Sequence, residues 1–203
     1  MRRLVLLLTV MAAALVFASG VALAVSKVGT DGPDRLKGTN KADNLLGMGG
    51  NDKILGLRGK DNLLGGSGKD SVIGGNENGP RGGDKNLDGG EGNDVVLGGN
   101  GSDNIVGGDG NDLLLGGGFR EPSRDNLTGG AGGDYINVFN QPAAKDVVAC
   151  GDGSDMVDKD KKDVVARDCE RVRDPVSDGT GVGVPGSFFR GLPDYGLRIY
   201  GGY

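Results

Sequence analysis

Aspartate recurs at a fixed spacing along most of this chain, and its carboxylate is the reactive group that the sequence repeats most regularly. In the run from Gly89 to Gly117, GGEGNDVVL, GGNGSDNIV and GGDGNDLLL follow one another without a gap, so a nine-residue phrase occurs three times. Its aspartates are Asp94, Asp103 and Asp112. Earlier aspartates keep the same nine-residue interval: Asp34, Asp43, Asp52, Asp61 and Asp70. A short period of this kind indicates a solenoid, in which similar units stack on one another.

Each repeat joins a glycine-rich turn to residues that favour a strand. Glycine accepts the positive φ that a tight turn requires, and a run such as Val95-Val96-Leu97 favours an extended chain. A six-residue turn and a three-residue strand form a half-coil, and two half-coils of nine residues form one coil of eighteen. The sequence therefore predicts an all-β fold, a right-handed parallel β-roll (β-solenoid) of nine-residue half-coils.

In such a roll the repeat aspartates return to the same side at every second repeat, roughly 4.8 Å apart along the stack. Carboxylates at that spacing repel one another unless a cation lies between them. A hard cation with oxygen ligands at about 2.3–2.6 Å would bridge them, and turn carbonyls would complete its shell. Calcium is the cation that this pattern favours. The alternative for any single aspartate is a turn-forming role, which aspartate often has.

The repeated phrase resembles the RTX, or haemolysin-type, calcium-binding nonapeptide repeat, and the resemblance covers about residues 29–173. It implies that Ca²⁺ lies between turns two repeats apart, held by aspartate carboxylates and turn carbonyls. The implied metal ligands are Asp34, Asp43, Asp52, Asp61, Asp70, Asp94, Asp103, Asp112, Asp125, Asp134 and Asp155. The expected bridging pairs are Asp34–Asp52, Asp43–Asp61, Asp52–Asp70, Asp94–Asp112, Asp103–Asp125 and Asp112–Asp134.

Two insertions interrupt the predicted calcium-binding roll, which spans residues 25–134. They lie near residues 76–84 and 118–124, and both are expected to be surface loops that leave the strands intact. Counting through the first insertion puts Lys85 at the next aspartate position. Because an ammonium group cannot bind calcium, we expect one weakened or empty metal site there.

The second residue after each repeat aspartate is aliphatic throughout. Because strand side chains alternate between faces, this column is predicted to point into the roll. Its members are Leu36, Leu45, Ile54, Leu63, Val72, Leu87, Val96, Ile105, Leu114, Leu127 and Ile136. The column continues on both sides of each insertion, which fixes the register there.

A second apolar column, here called the outer stripe, is predicted to face outward. It contains Leu46, Leu55, Leu64, Ile73, Leu97, Val106 and Leu115. One interpretation is a docking surface for a cell surface, a partner or a second copy. The other is β-propensity on a narrow strand, partly covered by the C-terminal tail.

Residues 135–173 are predicted to form degenerate terminal coils. Asp146, Asp155 and Asp163 continue the aspartate positions, and Val148, Val157 and Val165 continue the inward column. Cys150 and Cys169 are nineteen residues apart, close to one coil, which places them within reach of a disulfide. This ending resembles the cysteine-bearing C-terminal coils of exported bacterial members of the family. Redox catalysis is the alternative for these cysteines, but they form no C-x-x-C motif.

The two ends of the chain have a different composition. Residues 1–24 read as a secretory signal peptide, with Arg2 and Arg3 before an apolar core and Ala22-Leu23-Ala24 as the cleavage site. An uncleaved membrane anchor is the alternative; after cleavage no membrane span is expected. Residues 174–203 form a Gly/Pro-rich tail that holds five of the nine aromatic residues, so it is expected to fold over the roll or to contact a partner.

Composition limits the functions that this chain can have. Histidine is absent, which removes histidine-based catalysis and histidine-ligated zinc. The net charge of −5 becomes −7 without the leader, when 21 basic residues face 28 acidic ones, and such a chain is a poor partner for nucleic acid. No H-E-x-x-H or G-x-S-x-G motif is present.

The sequence therefore predicts a secreted, extracellular calcium-binding protein that is not an enzyme and that folds with its metal. The alternatives are a surface structural or adhesive protein that uses the outer stripe or the tail, and a repeat protein associated with a hydrolase.

Overall fold

The computed structural model describes residues 23–76, 83–84, 86–117, 123–140 and 143–174. Most of the predicted signal peptide, the central residues of both predicted insertions, Lys85, and the tail after residue 174 lie outside these described residues. The part that the structure does describe contains strands and turns and no helix, and so no helix that could cross a membrane.

The strands form two parallel sheets, and consecutive strands along the chain lie in opposite sheets. The odd sheet contains β1 (Ser26–Val28), β3 (Asn44–Gly49), β5 (Asn62–Ser67), β7 (Asn86–Glu91), β9 (Asn104–Asp109), β11 (Asn126–Gly132), β13 (Val147–Gly153) and β15 (Val164–Val165), in that spatial order. The even sheet contains β2 (Arg35–Lys37), β4 (Lys53–Leu57), β6 (Ser71–Asn76), β8 (Val95–Asn100), β10 (Leu113–Gly117), β12 (Tyr135–Asn137), β14 (Met156–Asp158) and β16 (Arg171–Arg173). Each strand pairs with the strand two places along the chain, so the chain winds as a parallel β-roll, as predicted.

The inward aliphatic column forms the core between the two sheets. Ile54, Leu63, Leu87 and Leu114 have no exposed surface, and only the end members of the column, such as Leu36, are partly buried. The register passes through both insertions unchanged: Leu63 pairs with Leu87 and Ile105 with Leu127. The core is thus one aliphatic residue deep per strand, and the predicted register is confirmed.

The predicted three-residue strand was too short. In the middle of the roll the strands run for five to seven residues, because the glycine pair stays in register with its neighbour, as Gly66 does with Gly90. A β-carbon at Gly90 would collide with the carbonyl group of Gly66. Glycine therefore lets the pairing continue into the turn.

The two outer faces differ in their contact with water. The outer stripe is half-buried, and the outward residues Val95, Leu113 and Tyr135 of the even sheet are only 1%, 3% and 0% exposed. These three form a second apolar cluster, here called the outer cluster, with Leu97, Leu115 and Met156 packed against it. Equivalent outward positions of the odd sheet hold Asn104 and Asn126, which are exposed. The centre of the even sheet is therefore covered on its outer face.

A disulfide and side-chain hydrogen bonds join the terminal coils. Cys150 and Cys169 form the predicted disulfide, with their Cα atoms 5.2 Å apart. The Tyr135 hydroxyl donates to Asp158 at 2.5 Å, and Arg173 donates to both oxygens of the same carboxylate at 2.7 and 2.8 Å. At the edges of the even sheet, Arg35 and Lys37 of β2 and Arg171 of β16 are exposed.

Met48 is a position where this fold is strained. It has φ of +85° and pairs in register with Gly66, which has φ of +115°. A left-handed backbone costs a residue with a β-carbon roughly 1–2 kcal/mol, and the Met48 side chain, 44% exposed, contributes little packing in return. Allowing for the greater chain entropy of glycine, we expect Met48→Gly to raise the free energy of unfolding by roughly 0.5–1 kcal/mol.

Chemical denaturation in saturating calcium measures this difference. Met48→Ala is the control, because it removes the same side chain but keeps the β-carbon and its strain. Equal stability of the two variants would show that the backbone at Met48 is not strained.

Candidate metal sites at the turns

The glycine-rich turns lie in two rows, one at each edge of the roll. The odd edge comprises the turns that lead into odd-numbered strands, and the even edge those that lead into even-numbered strands. The odd edge carries Asp43, Asp61, Asp84, Asp103, Asp125, Asp146 and Asp163, and the even edge carries Asp34, Asp52, Asp70, Asp94, Asp112, Asp134 and Asp155. Each of these aspartates lies one or two residues before a strand, so strand pairing fixes its position along the axis of the roll.

A ladder of hydrogen bonds links the acids of each edge. From Asp34 to Asp146, the backbone N–H of each ladder aspartate donates to Oδ1 of the aspartate one coil further on, as between Asp94 and Asp112 at 2.8 Å. The six predicted bridging pairs are all linked in this way, at 2.8–2.9 Å. One carboxylate oxygen of each repeat aspartate is therefore used by the backbone, and the other oxygen, Oδ2, decides what else the turn can bind.

The prediction that Lys85 occupies an aspartate position was wrong. The N–H of Asp61 donates to Oδ1 of Asp84 at 2.9 Å, and the N–H of Asp84 donates to Asp103 at 2.6 Å. Asp84 is 4% exposed, so its carboxylate occupies the repeat aspartate position in this turn. The sequence count assumed two steps from the aspartate to the inward residue, but three steps separate Asp84 from Leu87.

Sequence reasoning also missed Glu170, which ends the ladder of the even edge. Its Oε2 accepts the N–H of Asp155 at 2.8 Å, where another aspartate would be expected. Val172, two residues later, pairs in register with the inward Val157. Counting two residues back from the inward column would therefore have found this acid.

Along the even edge, Oδ2 of each inner aspartate is buried and has no hydrogen-bond partner. This holds for Asp52, Asp70, Asp94, Asp112, Asp134 and Asp155. These residues are at most 2% exposed. A buried carboxylate oxygen without a partner is strongly unfavourable. The same arrangement in successive coils indicates that this oxygen serves a ligand.

The first glycine of each repeat brings a carbonyl oxygen close to this Oδ2. A β-carbon at Gly89 would lie 2.5 Å from Oδ2 of Asp94 and 2.6 Å from the carbonyl oxygen of Gly107, one coil further on. Gly38 has the same surroundings, at 2.5 Å from Asp43 and 2.5 Å from the Gly56 carbonyl. Glycine is needed at these positions because a β-carbon would occupy the space between the carboxylate oxygen and the carbonyl oxygen of the next coil.

Burial makes the charged form of these carboxylates unfavourable. Desolvation raises the pKa of Asp70 to about 6, of Asp94 to about 7 and of Asp112 to about 8, and the neighbouring carboxylate adds to the rise. The backbone N–H bond to Oδ1 offsets only part of this effect. The pKa of Asp134, nearer the end of the row, rises to about 6. Within the even edge, the middle therefore has a greater need for a positive charge than the Asp134 end.

The donor atoms suit a hard cation. Carboxylate and backbone carbonyl oxygens are the ligands of calcium, whereas soft metals prefer sulfur or imidazole. Within the described ranges no group of three or more His, Cys, Asp or Glu side chains converges on one point. This agrees with sites that take carboxylates from two successive coils and complete the shell with backbone oxygens.

A parallel β-roll with buried carboxylates and glycine carbonyls at its turns defines a calcium-binding repeat protein. Comparison with family models agrees with this class: the RTX calcium-binding nonapeptide repeat matches four times, at residues 28–63, 46–79, 86–120 and 122–138, and these matches cover about half of the chain. The chain belongs to this family, whose repeats bind Ca²⁺. A search of curated protein sequences found no match.

The space beside Asp94 gives a direct test of this geometry. In Gly89→Ala the new β-carbon would enter the space shared by Asp94 Oδ2 and the Gly107 carbonyl. Overpacking of this kind costs about 1–3 kcal/mol, so we expect the calcium concentration at half-folding to rise several-fold.

Calcium titration followed by circular dichroism measures this midpoint. Gly49→Ala is the matched control, because a β-carbon there meets its nearest atom at 3.5 Å. If both variants keep the midpoint of the unchanged protein, the turn glycines are not required for space at the metal.

Proposed function

We propose that this chain is an exported, non-catalytic calcium-binding protein whose roll folds when Ca²⁺ binds between its coils. One observation carries the proposal: Oδ2 of the inner even-edge aspartates is buried without a protein partner in coil after coil. A bound cation would satisfy these oxygens and neutralise the stacked charges at once.

The proposed ligands are the repeat carboxylates together with the carbonyl oxygens of the first turn residues. The carboxylates are Asp34, Asp43, Asp52, Asp61, Asp70, Asp94, Asp103, Asp112, Asp125, Asp134 and Asp155, with Asp84 added from the structure. Carbonyl oxygens of residues such as Gly65 and Gly107 would come from the following coil. Bound calcium would supply the positive charge and the multiple oxygen contacts that neighbouring side chains do not provide.

The small hydrophobic core supports the proposal that metal binding and folding are coupled. One inward aliphatic residue per strand gives little apolar burial against the conformational entropy of a glycine-rich chain. Metal that binds only the folded state adds stability by mass action. Extracellular calcium modules bind at about 10⁻⁴–10⁻³ M, so transfer from a calcium-poor interior to a calcium-rich exterior would itself favour the folded state.

Secretion is supported by two features of the chain. The N-terminal segment 1–24 has the pattern of a signal peptide, and the Cys150–Cys169 disulfide suits an oxidising compartment. The non-catalytic role is supported by the absence of histidine from the sequence and by the repeat period, which already accounts for the aspartates.

Far-UV circular dichroism of residues 25–203 during a calcium titration tests the proposal. We expect a cooperative change from coil to β-structure near millimolar calcium, because the ions offset carboxylate repulsion in every coil. Magnesium is the control: it prefers a small octahedral shell and keeps its waters, so it should not fold the chain in the same range. A chain that is already folded in chelator and indifferent to calcium would contradict the proposal.

A second candidate function is a structural or adhesive role through the outer face of the even sheet. The observation that favours it is the outer cluster, in which Val95, Leu113 and Tyr135 face outward yet are almost completely buried. Leu97, Leu115 and Met156 of the same sheet contribute to this burial, and we propose that a segment outside the described strands completes the cover. The aromatic tail is the segment whose composition suits an apolar face.

Truncation after residue 174 tests this second candidate. If the tail covers the outer cluster, the truncated protein in calcium should bind more of an apolar dye such as ANS and should associate with itself or with a surface more strongly. Leu113→Asp in the truncated protein is the control, because it removes the apolar surface and should abolish both effects. Unchanged dye binding and unchanged association on truncation would reject a role for the tail.

A further inference from the structure

The aspartates of the inner turns and those of the terminal odd-edge turns differ in what their Oδ2 atoms contact. On the even edge Oδ2 is without a protein donor from Asp52 to Asp155. On the odd edge the terminal turns supply donors of their own: the Asn140 amide donates to Oδ2 of Asp146 at 3.0 Å, and the N–H of Asp160 donates to Oδ2 of Asp163 at 2.8 Å. The same oxygen is thus left for a ligand at inner turns of both edges, as at Asp61 of the odd edge, and is bound by the protein at the terminal turns of the odd edge.

The turn that leads to Asp146 is built around Asn140. This residue is 3% exposed, and both ends of its amide are used, because Oδ1 accepts the N–H of Ala144 at 2.7 Å while Nδ2 donates to Asp146. Asp146 Oδ1 accepts the N–H of Asp125 at 2.8 Å, as in every other turn. Both oxygens of the Asp146 carboxylate therefore have protein donors.

The glycine that makes room for a metal is also missing from this turn. Val138 follows Asn137 as Gly116 follows Leu115 in the paired strand β10. Its side chain is 2% exposed and belongs to the core, so the space that glycine leaves free elsewhere contains a side chain.

The oxygens also fail to converge one coil earlier. Around a β-carbon at Gly116 the three nearest atoms all belong to Asp125, the closest being Oδ2 at 2.9 Å. At Gly98, Gly107 and Gly129 a carbonyl oxygen of the next coil lies beside the carboxylate. The convergence of oxygens on the odd edge thus ends before the turn that carries Asn140.

From these contacts we propose that the Asn140 amide takes the place of a calcium ion at Asp146. The odd-edge row of metal sites then has no site at Asp146, while the even-edge row continues beside it. An amide donor to a carboxylate forms a charge-assisted hydrogen bond, which satisfies the buried Oδ2 without adding a cation. The inference rests on the proposed calcium function, and it means that the Asp146 carboxylate is satisfied by protein donors without a metal ion.

Two isosteric variants test the assignment by the amount of calcium bound. In Asp112→Asn, on the even edge, an orphaned buried carboxylate oxygen is lost, and we expect the bound calcium, measured by equilibrium dialysis, to fall by at least one ion per chain. In Asp146→Asn the carboxylate already served by Asn140 is lost, and we expect no change. Equal losses in both variants would overturn the inference, whereas no loss in either would contradict the proposed function itself.

A charge-adding variant gives an independent readout in stability. Asn140→Asp would set a second carboxylate against Asp146, so we expect a lower melting temperature in chelator and a larger rise on adding calcium than in the unchanged protein. Asn126→Asp is the matched control, because Asn126 is exposed on the outer face of β11 and lies outside both rows. A calcium-dependent rise in Asn140→Asp equal to that in Asn126→Asp would overturn the inference. If Asn140→Asp does not fold, the calcium counts of the two isosteric variants still decide.

Discussion

Repulsion between the carboxylates that a parallel β-roll stacks at its turns is the constraint that this structure has to satisfy. Strand pairing fixes their spacing along each edge at roughly 4.8 Å, and burial removes the water that would weaken their interaction. The backbone N–H of the preceding coil satisfies one oxygen of each carboxylate, which holds the side chain in place but leaves its charge uncompensated. The roll is therefore a scaffold that positions negative charge and requires a cation to make that arrangement favourable.

The glycines and the inward aliphatic column have separate structural roles in the roll. The first glycine of a repeat leaves space where oxygen atoms from successive coils meet, and the second lets two backbones approach at the turn. The inward residue of each strand, for example Leu114, supplies the apolar contact that keeps successive coils in register. Because no position of the repeat supplies a large core, we expect bound metal and core packing to contribute to the same folding equilibrium.

Most of the fold could be predicted from the sequence, because the two-residue step from aspartate to inward residue is almost constant. That step located the strands, the core and the paired aspartates, and it failed where one extra residue follows Asp84. The contribution of Asn140 could not be predicted, since it depends on an irregular turn whose path no period describes. The burial of Val95 and Leu113 was also beyond the pattern, which specifies the face of a side chain but not what covers that face.

The exposed basic residues at the two ends of the even sheet have a consequence for assembly. A stack of identical coils has no intrinsic length, and its terminal strands offer unpaired backbone groups to another copy. Here the first strand of the even sheet presents Arg35 and Lys37, and the last presents Arg171. Two molecules that approached end to end through this sheet would bring like charges together at the spacing of paired strands. The same architecture that adds one coil to the next within a chain thus opposes growth into a filament.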